Sequence, residues 1–127
     1  MRIGILLISI FVLETSYAQT WVDSVDSYAR EAYIPAGKYQ WSWTNAALLN
    51  TMVKQYELAP ADKKQVYLNY IKKAMDKTYN VANGNTPNAL ASGLGLAFLY
   101  RVTKEEKYKT KAEKIYGQYL KIKRTED

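Results

Sequence analysis

Asn88-Ala-Leu-Ala-Ser-Gly-Leu-Gly-Leu-Ala-Phe-Leu-Tyr-Arg-Val102 carries no charge before Arg101. Leu90, Leu94, Leu96, Ala97, Phe98 and Leu99 go round most of a helix's circumference, and a helix apolar nearly all round must be buried nearly all round. The segment that follows, about Lys104 to Lys121, is of another kind. Tyr108, Ala112, Ile115, Tyr116 and Tyr119 form a single stripe at helical spacing, and lysines and acids fill the rest. The same pair occurs upstream. About Trp41 to Glu57 has no charge until Lys54 and reads Ala46, Ala47, Leu48, Leu49, Met52, Val53, whereas Lys63 to Lys77 shows one stripe of Tyr67, Tyr70, Ile71, Ala74 and Met75. A first helix, about Thr20 to Tyr33, places Trp21, Val25, Tyr28, Ala29 and Ala32 on one side and is stopped by Ile34-Pro35-Ala36-Gly37. The order therefore alternates outer, inner, outer, inner, outer.

The alternation is also a repeat. Asp62-Lys-Lys-Gln65 before Val66-Tyr67 parallels Thr103-Lys-Glu-Glu106 before Lys107-Tyr108, each reading as a capping box, and the two lie 41 residues apart (103 minus 62). A period of that length means a repeated helical hairpin, longer than a tetratricopeptide unit. HEAT-like solenoids share the length, but their helices are amphipathic against neighbouring repeats. Nearly uncharged helices enclosed by charged ones point instead to a closed double ring. The expectation is an all-α fold: helical hairpins forming the first part of an (α/α)6 barrel, a six-hairpin toroid. Two and a half hairpins would leave much of the inner layer uncovered, so the chain is expected to be part of a larger ring or to complete its core with a partner.

Residues 1–18 read as a signal peptide, with Arg2 at the positive start, Ile3 to Leu13 as the apolar run and Ser16-Tyr17-Ala18 as the cleavage site. The run is shorter than the roughly 20 residues that span a bilayer, so no stable membrane insertion is expected after cleavage. The mature part, 19–127, is expected to be one incomplete domain, exported to the periplasm or outside the cell. Net charge is +6, and losing Arg2 and Glu14 removes one charge of each sign. An excess of this kind suits an anionic partner. Export and the scatter of the lysines along helical faces argue against nucleic acid; an acidic polysaccharide or a membrane surface fits the compartment better, and a solvated lysine-rich face with no partner is the other reading. The absence of both Cys and His excludes thiol chemistry, disulfides, Ser-His triads and His-based metal sites.

Two connections lead from an outer into an inner helix, Ile34 to Gln40 and Tyr79 to Pro87. Both are polar and must share one end of the array, where inner-helix N-termini favour anions. Trp41, Ser42, Trp43, Asn45 and Asn88 occupy that end. Trp41 and Trp43 would point about 200° apart on a helix start, so at most one faces a cleft; a sugar-stacking wall and core packing are both open for them. Asn88, after Pro87 and before an apolar run, reads first as an N-cap and second as a ligand contact. None of the mature carboxylates falls at this mouth, so a two-carboxylate glycosidase site cannot be assembled from the chain.

Trp41-Ser-Trp-Thr-Asn-Ala-Ala-Leu-Leu49, Tyr67-Leu-Asn-Tyr-Ile-Lys-Lys-Ala-Met75 and above all Ala91-Ser-Gly-Leu-Gly-Leu-Ala-Phe-Leu-Tyr-Arg-Val-Thr-Lys-Glu-Glu-Lys-Tyr108 resemble the opening hairpins of glycoside hydrolase family 105, the unsaturated rhamnogalacturonyl hydrolases, and the related family 88. The resemblance implies an (α/α)6 barrel that removes a Δ4,5-unsaturated uronic acid from acidic unsaturated oligosaccharides left by pectin-cleaving lyases. It implies vinyl-ether hydration: an aspartic acid protonates C4, water adds at C5, and the hemiketal opens to release the neighbouring sugar, with no metal and no organic cofactor. It also implies substrate contacts at Trp43, where members carry a pocket-lining aromatic residue, with Trp41 beside it, and at Asn88, where many members carry an aspartate. The catalytic aspartate of the family follows an Arg-Thr-x-x-Gly-Gly segment; Arg124-Thr125-Glu126-Asp127 matches only its beginning, so no catalytic residue is expected within the sequence. The reading from a different class is a non-catalytic helical-repeat module that holds acidic glycans or a protein partner at its basic end.

Overall fold

The computed structural model describes residues 21–122; the expected signal peptide, residues 1–18, and Arg124–Asp127 lie outside the described residues. Every regular element among them is helical. Two units are separated between Pro35 and Ala36. In the first, helix α1 covers residues 21–28 and widens into a π-helical turn, Ala29–Tyr33. Its apolar stripe is present but not buried, with Trp21, Val25 and Tyr28 exposed, while Arg30 donates from Nε to Asp26 at 3.0 Å.

The second unit is the hairpin array: a 3-10 turn Ala36–Lys38, then α2 (Trp43–Leu58), α3 (Ala61–Thr78), the short α4 (Pro87–Leu90), α5 (Gly93–Thr103) and α6 (Glu106–Tyr119). α2 pairs with α3 and α5 with α6 as antiparallel-type hairpins, and α5 also packs against both helices of the first pair. Leu49 and Met52 of α2, Ile71 and Met75 of α3, Leu96 and Leu99 of α5, and Tyr108 and Ile115 of α6 are fully buried. The apolar stripe of α3 is buried at every position read from the sequence. Close approach of the hairpins depends on Gly95, where a Cβ would lie 2.6 Å from Leu49 Cδ2 and 2.8 Å from Met75 Sδ. Tyr56 and Phe98 add an edge-to-face contact at 5.0 Å between α2 and α5.

The outer helices are tied to each other by side chains. Tyr108 donates its hydroxyl to Asp76 at 2.7 Å, Lys107 donates to the same carboxylate at 2.8 Å, and Lys72 bonds both Glu105 and, at 3.2 Å, the Tyr108 oxygen. Burial opposes ionisation of Asp76, but hydrogen bonds from Lys107 and Tyr108 outweigh it and hold the carboxyl below its ordinary value.

Several local expectations are corrected. Neither capping box forms. α3 begins earlier, with Pro60 in the N-cap position and Asp62 inside the first turn; Pro has no N–H to satisfy and its extended ψ of 158° launches the helix directly. α6 is preceded by Glu105 without a side-chain cap. Thr103 instead closes α5, donating to the Leu99 carbonyl at 2.8 Å and accepting from the Glu105 amide at 3.2 Å. Lys104 ends α5 in the left-handed region at φ 61°. The stripe of α6 is rotated: Lys111 is buried and Tyr116 is exposed. The Lys111 stem is covered while its ammonium stands over the Tyr79 ring, 5.2 Å from the centroid, the usual way a long cationic chain buries its carbons; desolvation, and then the nearby Lys114, lower its pKa. One expectation holds: with so few hairpins the inner layer is covered on one side only. Leu94 is half exposed, Ala97 is exposed, and with Leu90, Gly93, Ala112 and Tyr116 they line an open apolar groove along α5.

Candidate functional site

The run from Asn88 to Val102 forms two helices. Thr86 is the N-cap of α4, its hydroxyl accepting from the Ala89 amide at 3.0 Å, and Pro87 takes the first helical position. Asn88 is therefore not the cap; it stands in the first turn with its side chain exposed. The backbone then breaks at Ala91-Ser92, and α5 starts afresh at Gly93.

Ser92 is fully buried at that break and joins it to the start of α2. Its hydroxyl donates to the Ser42 carbonyl at 3.1 Å, which leaves Tyr39 as the donor in the 3.0 Å bond between the Tyr39 and Ser92 oxygens. Burial raises the Tyr39 pKa, with the Ser92 bond only partly opposing it, so the phenol keeps the proton it donates. Ser42 caps α2 by accepting from the Asn45 amide at 3.3 Å. The following residue, Trp43, is 58% exposed, which fits a ring presented at the surface rather than packed in the core.

Trp41 precedes the helix and is half-buried. Its single donor, the indole N–H, bonds the Asn83 carbonyl at 2.8 Å. Asn83 sits in the second connection, where its side chain accepts from the Asn85 amide at 3.2 Å and donates to the Val81 carbonyl at 3.1 Å. Gly84 donates its amide to Gln118 Oε1 at 2.9 Å and lies so close to α6 that a Cβ would fall 1.9 Å from the Ile115 carbonyl oxygen. Tyr79 donates to the Lys107 carbonyl at 3.0 Å. The second connection is thus fastened to α2 on one side and to α6 on the other.

The starts of α2 and α5 and the second connection do meet: α4 touches α2 and α6, Trp41 bonds Asn83, and Ser92 bonds Ser42. At the mouth stand one exposed aromatic side chain, Trp43, the exposed amide of Asn88, and the N-terminal turns of α2 and α4, with no carboxylate in residues 36–45 or 79–92. Such a surface can stack a sugar ring and hydrogen-bond an anion or hydroxyls. It holds no carboxylic acid to protonate carbon. Among the described residues no three His, Cys, Asp or Glu side chains gather as a metal site, and no helix is long and apolar enough to cross a membrane. Tyr39, Ser92 and Gln118, which hold the mouth together, were not singled out by the sequence; the Thr86-Pro87 pair was a legible signal for the true start of α4.

A layer of nearly uncharged helices inside charged ones, opening at one end on an aromatic ring and amides, places the molecule with the helical-hairpin glycosidases. Residues 15–127 match the family described as Glycosyl Hydrolase Family 88, and the chain belongs to that family. No curated protein and no solved structure matches it.

Proposed function

We propose that this chain is the N-terminal part of an exported glycosidase that removes a Δ4,5-unsaturated uronic acid from lyase-generated, pectin-type oligosaccharides. The reaction adds water across the enol ether. A proton goes to C4 and the water oxygen bonds C5, giving up a proton. The C5 hemiketal then opens by breaking its bond to the ring oxygen, and the hemiacetal this leaves at C1 breaks its bond to the neighbouring sugar, whose oxygen takes up the proton. In this reading the described mouth supplies the sugar-holding wall, with Trp43 against the ring and Asn88 hydrogen-bonding as an amide. The aspartic acid that protonates C4 comes from further hairpins of the same ring.

The observation that carries the reading is the pairing of an exposed Trp43 and an exposed Asn88 at a mouth without carboxylates, beside an inner layer left open along α5. Inner-helix N-termini and the net charge of +6 favour the substrate carboxylate. The missing acid equally supports a non-catalytic module that only holds acidic glycans, and the two readings separate by activity. Calorimetric titration of the chain with an unsaturated digalacturonate, and with its saturated counterpart, tests the wall. Binding that prefers the unsaturated sugar and is lost in Trp43→Ala and weakened in Asn88→Ala is the expected result. Equal binding of both sugars, or full affinity in Trp43→Ala, overturns it. Supplying the remaining hairpins as a second polypeptide should restore loss of the enol-ether absorbance; binding without any such loss favours the module.

A further inference from the structure

The segment that carries Asn88 is an arch from Asn83 to Ser92, and its feet rest on the two residues that precede Trp43. At one foot the Trp41 indole donates to the Asn83 carbonyl at 2.8 Å; at the other the Ser92 hydroxyl donates to the Ser42 carbonyl at 3.1 Å. Between them α4 contributes no fully buried side chain of its own and packs lightly on α2, α5 and α6. This pair of bonds seats the arch on the two residues before Trp43, and the Gly84–Gln118 contact fastens it to α6.

Resting on the proposed reading of the mouth, we infer that Trp41 is a positioning residue: through its bond to Asn83 it seats the arch that carries the Asn88 amide beside the start of α2, where Trp43 stands. The argument is geometric. An indole N–H has one donor and no acceptor, and here that donor is committed to the backbone of the other connection. The bond joins residues 41 and 83, which belong to different hairpins. The Ser92 foot is buried and holds the start of α5 as well, so its loss would disturb folding. The Trp41 foot is only half-buried, so it can be removed with the fold intact.

Trp41→Phe deletes the donor and keeps an aromatic side chain. In the 15N-labelled chain, the Asn88 side-chain amide signals should shift and the Gly84 and Asn85 amides should exchange faster, with the core amides unchanged. Affinity for unsaturated digalacturonate should fall about 5-fold, the size of one modest hydrogen bond. In an Asn88→Ala background the same substitution should cost less than about 2-fold, because its effect passes through Asn88. An unmoved Asn88 amide overturns the inference, as does an equal penalty in both backgrounds. If wild type does not bind the sugar while the Asn88 signals still move in Trp41→Phe, the functional reading falls and the positioning of Asn88 by Trp41 stands.

Discussion

Gly84→Ala tests whether the mouth is held by close contact rather than by loop conformation. None of the described glycines has a positive φ, so alanine at 84 is not excluded by its backbone angles. In an unconstrained loop the change would stabilise by about 0.4–1 kcal/mol through the unfolded chain. The structure dictates the opposite sign. The new methyl would sit 1.9 Å from the Ile115 carbonyl oxygen and 2.8 Å from its carbon, both backbone atoms of α6 that cannot rotate away. The connection must retreat by about 1 Å or more to make an ordinary contact. A retreat of that size takes the 2.9 Å Gly84–Gln118 bond out of hydrogen-bond range and strains the Trp41–Asn83 bond beside it. Loss of one to two part-buried hydrogen bonds together with overpacking amounts to about 2–3 kcal/mol. In a domain of this size that is roughly 10–20 °C in Tm. Thermal melting followed by far-ultraviolet circular dichroism measures it, with Gln118→Leu as the companion that removes the bond without the clash and should cost about 1 kcal/mol. A Gly84→Ala melt at or above the wild-type Tm would refute the close approach.

Two further outcomes follow from the outer layer. Lys104 holds a left-handed conformation that glycine adopts without a Cβ penalty, so Lys104→Gly should raise stability by up to about 1 kcal/mol in urea titration, with the m-value unchanged. Asp76 has a folded pKa below its ordinary value of 3.8. Its contribution is therefore present above that value and disappears as pH falls through the folded one. Asp76→Asn should be less stable than wild type at pH 7, by under about 1 kcal/mol for a half-exposed pair, and the gap should close at pH values below the ordinary carboxylate range.

The hairpins were legible because their signal is an average over many positions. Tyr67, Tyr70, Ile71, Ala74 and Met75 all turn inward on α3, and a shift of one residue at the helix end would not alter that stripe. Helix starts depend on single residues in competition. Asp62 and Pro60 both suit the beginning of α3, and Pro60 prevails because its missing N–H and fixed φ place the boundary earlier. Thr86 prevails over Asn88 for a related reason: Pro87 is preorganised for the first helical position, so the residue before it becomes the cap. The break at Ala91-Ser92 was not legible from periodicity. It is sustained by Tyr39 and Ser42, residues some fifty positions away, and a local pattern carries no trace of such a bond. The exposed apolar face of α5 was anticipated from the hairpin number, since an inner helix reads as buried all round only when neighbours stand on both sides.

The arch from Asn83 to Ser92 has one property that reaches beyond this molecule. Both bonds that seat it on α2 end at main-chain carbonyls, of Asn83 and of Ser42, and α4 has no side chain in the core. The placement of position 88 is therefore indifferent to which residue occupies it. An acid, an amide or a hydroxyl can be exchanged there by a single codon change without refolding the scaffold, so the chemistry presented at this position can change while the architecture stays the same.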